Sequence, residues 1–209
     1  MLLTVVRSIF TLKELFVNDL LDKFNEYKSI VNYRWSYLLG NGQQLEFKLK
    51  QTDFPHLIGL HKLIDIPIIR QFNDVNNRTI SAKFLISKIK KESLLTESAI
   101  KNSIYYPSIS DRYQNFNKDN LLTVSYTDAV INFDASLIGS TLSSDYILFE
   151  HRKSGYNHLC IAMSSNGTRY AESFFHNPKD LYISGQQVVK IKKVEIYDAK
   201  GSLYIEDIL

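Results

Sequence analysis

The 209-residue chain carries a single cysteine, Cys160. A lone thiol excludes an internal disulfide and any zinc centre built from several thiolates. Cys160 lies in the apolar run Leu159-Cys160-Ile161-Ala162-Met163, which reads as a buried small hydrophobe rather than a nucleophile. Metal-ligand spacing is also missing: His56 and His61 are five residues apart, which suits no helical i, i+4 pair, and no partner carboxylate stands nearby. There is no nucleophile elbow, Walker loop, dinucleotide fingerprint or kinase motif, so the usual warrants for phosphate cradling and serine hydrolysis are absent. No metal and no cofactor are therefore expected. No window reaches the roughly 18 uninterrupted apolar residues of a membrane span. Met1 to Phe10 are apolar but have neither a basic leader nor a small-residue cleavage site. The expectation is a protein of a reducing, cytoplasm-like compartment with no membrane partner.

A strong excess of one charge is lacking too. Twenty-five lysines and arginines face 22 acidic residues, for a net charge of +3 and a pI near 8.8. That balance allows a polyanionic partner without demanding one. With 44% hydrophobic and 22% charged residues, the chain has enough apolar mass for an ordinary globular domain.

Apolar residues recur at helical spacing from Ile9 to Val31, with Thr11 and Glu14 at capping-box spacing. Tyr33 to Leu39 and Gln43 to Lys50 flank Gly40-Asn41-Gly42, which predicts a hairpin. Its second arm alternates Leu45, Phe47 and Leu49 with charged residues and should deliver the next stretch to the end of a sheet. The connection through Pro67 and residues 73–78 reads as a loop, Thr79 to Leu95 as a helix with lysines 83, 88, 90 and 91 on its wet face, and Thr96 to Tyr106 as a shorter one. Pro107-Ser108 before Asp111 resembles a helix start that places Arg112 near a first turn. Strand texture then takes over at Leu121–Ser125, Ala129–Phe133, Tyr146–Glu150, His158–Met163, Arg169–Phe175 and Val188–Tyr197. Helices first and strands after give an α+β fold with a multi-stranded, antiparallel and strongly twisted sheet.

Two stretches stand out chemically. Phe54-Pro55-His56-Leu57-Ile58-Gly59-Leu60-His61-Lys62-Leu63 interrupts an apolar run with two histidines and a lysine, more polar than a core and more apolar than a loop. In Tyr170-Ala171-Glu172-Ser173-Phe174-Phe175-His176, Ser173 falls between bulky apolar residues, either bonded to a neighbouring backbone group or offered to a phosphate or a leaving hydroxyl. The histidines at 56, 61, 151, 158 and 176 are the natural acid–base candidates near neutral pH, although a lone histidine is more often structural. Thirteen tyrosines and twelve phenylalanines supply rings for a core and for stacking on unpaired bases.

The stretch Phe54–Leu60 after a hairpin, Arg112 in a helical middle, and Ser173-Phe174-Phe175 followed by Tyr182 together resemble the phage-type nucleases of the barnase–EndoU–colicin E5/D–RelE group, above all its fourth phage-associated family. The likeness covers Tyr33 to Tyr197, so residues 1–32 are expected to be a helical extension and residues 33–209 the nuclease domain. The resemblance implies N-terminal helices packed on a curved, mainly antiparallel sheet, and a metal-independent endoribonuclease, a toxin or phage-conflict effector, in which the ribose 2′-hydroxyl attacks phosphorus and leaves a 2′,3′-cyclic phosphate. It implies His56 as general base or acid, Arg112 as stabiliser of the phosphorane and Ser173 as a donor to phosphate, with Lys62, His158 and His176 in reserve. RNA is the implied substrate, and an inhibitor or antitoxin protein the implied partner. Two rivals stand beside it. One is a non-catalytic RNA-binding or interaction module. The other is an NAD-dependent ADP-ribosyltransferase using Arg152, Ser140, Thr141 and Glu172, whose order and spacing fit poorly.

Overall fold

A computed structural model describes residues 19–73, 80–91, 95–122 and 126–209. Helix α1 (Asp19–Ser29) opens the described chain and buries Leu20, Phe24 and Tyr27 at helical spacing. The expected helical residues before Asp19, with the Thr11/Glu14 cap, lie outside the described residues. A hairpin follows, β1 (Arg34–Leu39) and β2 (Gln44–Lys48), antiparallel with Trp35 opposite Phe47.

Short helical pieces then fill the middle of the chain. A 3₁₀ turn, Gln51–Asp53, leads into α2 (Phe54–Leu57), and a second 3₁₀ turn spans Leu60–Lys62. The residues after the hairpin are thus helical turns packed against the sheet, just past the arm that was expected to deliver His56 to the end of a sheet. Pro55 favours the turn there: near the start of a helix its fixed φ and missing N–H cost nothing. Next come α3 (Pro67–Asn73), α4 (Ala82–Lys90), α5 (Glu97–Lys101), α6 (Ser110–Asn115) and α7 (Lys118–Leu121). Helix α3 occupies what read as loop: Pro67 sits at its first residue while Ile68, Ile69 and Phe72 turn inward. Helix α7 replaces the start of the strand expected at Leu121–Ser125. Its cap, Asn117 accepting from the Asn120 N–H at 2.8 Å, competes successfully with the β-like texture.

The remaining strands are β3 (Asp128–Ile131), β4 (Ser144–Arg152), β5 (Gly155–Met163), β6 (Arg169–Asn177), β7 (Gln187–Tyr197) and β8 (Leu203–Ile208). All pairings are antiparallel in the order β2-β1-β7-β3-β4-β5-β6, with β8 also on β7. The sheet curls until its outer strands β2 and β6 approach one another, giving an open half-barrel with helices packed on it. Alternation along β4 sends Leu148 to the main core, and Ile147 and Phe149 to a smaller cluster with Val130 and Cys160 on the other face. Among the described residues no helix is long and apolar enough to cross a membrane.

Aromatic rings join the helices to the sheet. Phe54 lies 5.2 Å from Phe24, 5.5 Å from Tyr27 and 5.5 Å from Phe116, and Phe116 lies 6.2 Å from Phe174 of β6. Edge-to-face rings at such spacings add to plain burial. Replacing Phe54 by Ala should cost about 3–5 kcal/mol in urea unfolding; a loss below about 1 kcal/mol would remove Phe54 from the centre of this cluster.

Candidate active site

The Phe54–Leu63 segment divides its residues by polarity. Phe54, Leu57, Ile58, Leu60 and Leu63 are fully buried, His56 and His61 are half-buried, and Lys62 is exposed overall, although neighbouring atoms partly desolvate its ammonium. Gly59 makes the change of direction between the two turns with φ of +86°. A Cβ there would be strained and would lie 3.0 Å from both Arg112 Cδ and Ile109 Cγ2. Glycine therefore allows Arg112 to lie flat against the turn.

Arg112 rides α6 and is only 7% exposed. Its Nη1 donates to the carbonyl of His56 at 3.3 Å, and its guanidinium sits 5.7 Å from the centre of the Phe175 ring. Burial pushes its pKa down to about 10, with Cys160 and Tyr182 acting weakly the other way. Among the described residues it makes no ion pair with a carboxylate. A buried cation without a carboxylate costs free energy that a bound anion would offset.

Arg112 opens onto a cavity of about 320 Å³. His61 and Lys62 line it from the helical side, Ser173, Phe175 and His176 from β6, and Ser140, Thr141 and Tyr182 from loops. Burial, then the neighbouring His56, Arg112 and Lys62, push the His61 imidazole down to about 3. Lys62 is lowered as well, by burial and by Arg112. The cleft thus holds a neutral imidazole among cations, and an entering anion would raise the affinity of that imidazole for a proton.

A β-bulge shapes the β6 wall. Cys160 faces Ser173 and Ile161 faces Ala171, so Glu172 has no cross-strand partner. Its carboxylate instead accepts from the Ser143 N–H at 3.0 Å, the Ser143 hydroxyl at 2.8 Å and the Ser144 hydroxyl at 2.5 Å. These bonds tie the Ser140–Ser144 loop to the strand that carries Ser173.

A model of the phage-Barnase-EndoU-ColicinE5/D-RelE like nuclease4 family matches residues 19–203. The chain belongs to this family. Searches of the curated proteins and of the solved structures return no match. In this nuclease the match begins with α1, whereas the resemblance noted from the sequence began at Tyr33.

Of the residues singled out from the sequence, Arg112, Ser173, Lys62 and His176 meet at the cleft. His56 is beside it: its carbonyl holds Arg112, and its ring stands 5.1 Å from both His61 and Phe72. His158 is elsewhere, fully buried on β5. It is stacked 4.9 Å from Phe175, 5.5 Å from Tyr182, and pushed down to about 4 chiefly by burial. His61 was one histidine among five in the sequence, and its place in the cleft depends on the turn at Gly59. Ser140 and Thr141, which read as part of a plain turn, also reach the site. The Glu172 of the transferase rival is occupied in holding that loop. Among the described residues no group of three or more His, Cys, Asp or Glu side chains could hold a metal ion.

Substituting Gly59 by Ala should destabilise the fold by on the order of 1–2 kcal/mol for the left-handed backbone alone, and should displace Arg112. Equal stability in chemical unfolding would refute the close approach. His158 gives a pH test. An imidazole that is less basic folded than unfolded takes up a proton on unfolding, so its contribution is complete above pH 6.5 and is lost as pH falls towards 4. Relative to His158→Phe, the wild type should lose on the order of 3 kcal/mol over that interval, at about 1.4 kcal/mol per pH unit; parallel stability curves would contradict the burial of a neutral ring.

Proposed function

We propose that this nuclease cleaves RNA without a metal, by attack of the ribose 2′-hydroxyl on the adjacent phosphorus. The observation that carries the reading is Arg112: a buried guanidinium that forms no ion pair with a carboxylate among the described residues, opening onto a cleft that also holds His61, Lys62 and Ser173. Arg112 binds the phosphate and meets the charge that grows on the phosphorane, with Ser173 donating a further hydrogen bond. His61 accepts the 2′ proton as O2′ bonds to phosphorus, its basicity raised by the phosphate itself. The bond from phosphorus to O5′ breaks, and Lys62, made more acidic by burial and by Arg112, protonates O5′. The products are a 2′,3′-cyclic phosphate and a free 5′-hydroxyl. His56 positions Arg112 through its carbonyl and backs His61 with its ring.

The need for a 2′-hydroxyl makes RNA the substrate and leaves DNA uncut. The family's phage association supports a toxin or conflict-effector role, with an inhibitor protein that covers the cleft as partner. Action on cellular RNA fits the cytoplasm-like compartment expected from the single thiol.

The test is incubation of purified protein with total RNA in excess EDTA, with identification of the product ends. Wild type should yield cyclic-phosphate ends. Arg112→Lys should lower kcat by roughly 10²–10³-fold, and His61→Ala by roughly 10²–10⁴-fold. His56→Ala keeps the carbonyl and should lose less than His61→Ala; the reverse order would move the proton transfer to His56. Intact RNA from folded wild type would overturn the cleavage reading in favour of an RNA-binding module.

A further inference from the structure

The cleft does not end at His176. A second recess of about 770 Å³ adjoins it, and Asp111 and His176 line both. One wall of this second recess is the tip of the β4–β5 hairpin, Arg152-Lys153-Ser154, with Asn157; another is formed by Asn115 and Asn120 from the end of α6 and from α7.

The hairpin tip is built as a fixed wall. Gly155 has φ of +134°, and a Cβ there would fall 2.3 Å from the Asn177 carbonyl oxygen and 2.5 Å from Pro178 Cα. Backbone therefore lies directly on backbone where the hairpin meets the end of β6. The His176 ring adds two contacts of 3.1 Å, from Nδ1 to Asn157 Oδ1 and from Nε2 to the Ser154 carbonyl. Helices α6 and α7 are tied in the same way: Asn115 Nδ2 donates to the Asp111 carbonyl at 2.8 Å and Asn120 Nδ2 to the Asn115 carbonyl at 2.6 Å.

The lining is polar, with two basic side chains against one acidic one among the described residues. Arg152 and Lys153 are exposed, Arg152 pairing through Nε with the Glu150 carboxylate, and Asp111 is the one acidic side chain of the wall. Among the described residues no aromatic ring apart from His176 lines the recess, so a ligand there is held by charge and hydrogen bonds rather than by stacking on tyrosine or phenylalanine. A phosphodiester matches that chemistry. Both sites are recesses joined end to end, which suits one strand with its bases unpaired rather than a rigid duplex.

We propose that the recess beyond His176 is a second nucleotide site, which binds the phosphodiester backbone flanking the cleaved step so that the preferred substrate is a single strand spanning both cavities. The proposal rests on the ribonuclease reading of the cleft, and the experiment separates the two. Cleavage of a dinucleotide and of an unstructured RNA decamer is compared for wild type, Lys153→Ala and Lys153→Glu, and binding of a fluorescent decamer of deoxynucleotides, which lacks the attacking hydroxyl, is titrated against salt. Lys153→Ala should lower kcat/KM on the decamer roughly five- to tenfold through KM, leave the dinucleotide rate unchanged, and flatten the salt dependence of binding by about 0.7 in log–log slope. Lys153→Glu should exaggerate each effect. Equal losses on both substrates, or none on either, would overturn the second site while leaving the cleavage reading intact. If wild type cuts neither substrate, the cleavage reading falls and the binding titration alone decides: unchanged affinity and salt slope in Lys153→Ala would overturn the second site as well.

Discussion

One hydrogen bond, from the Arg112 guanidinium to the His56 carbonyl, fixes the relation between the two parts of the helical layer that form the cleft. It requires the chain at Gly59 to turn through a left-handed conformation with no side chain in the way. It also requires α2 to be pinned from below, which the Phe24, Phe54 and Phe116 rings accomplish. The cation is thereby buried at a cost, and the free energy for that cost comes from the apolar residues between which the polar ones are interleaved. Stability from Phe54, Leu57, Ile58 and Leu60 is what keeps His61, Lys62 and Arg112 in an unfavourable electrostatic arrangement.

Like charges and neutralised bases crowded together are characteristic of sites that await an anion. Arg112 and Lys62 each lower the proton affinity of His61, and Arg112 lowers that of Lys62. A single negative charge placed among them would relieve all three at once. The His61, Lys62 and Arg112 side of the cleft thus favours an anion over a neutral ligand.

Much of this was legible in the chain, and the reasons differ by element. Strands β4 to β7 alternate or carry β-branched runs because each buries a face. The hairpin was visible from Gly40-Asn41-Gly42, and the placing of Arg112 from the Pro107–Asp111 helix start. Strand β8 was not visible, because Leu203, Tyr204 and Ile208 are exposed and an edge strand that buries little carries no burial pattern to read. Helix α3 was hidden by Pro67, which ends helices in most contexts and begins this one. At the site, Ser173 announced itself as a hydroxyl among bulky neighbours. His61 could not be told from His56, because which of the two faces the cleft follows from one glycine dihedral.

Strand β7 comes late in the chain but sits at the middle of the sheet, between β1 and β3. The N-terminal hairpin and the β3–β6 meander become one sheet through it. Each half can form its local pairings beforehand, yet closure waits for a pairing between residues 163 positions apart, Arg34 with Tyr197. Long-range pairings of that kind are reached slowly. Strand β7 therefore acts as the keystone of the half-barrel: until Gln187–Tyr197 is in place, His61 and Arg112 on one side and Ser173 on the other belong to pieces not yet locked together.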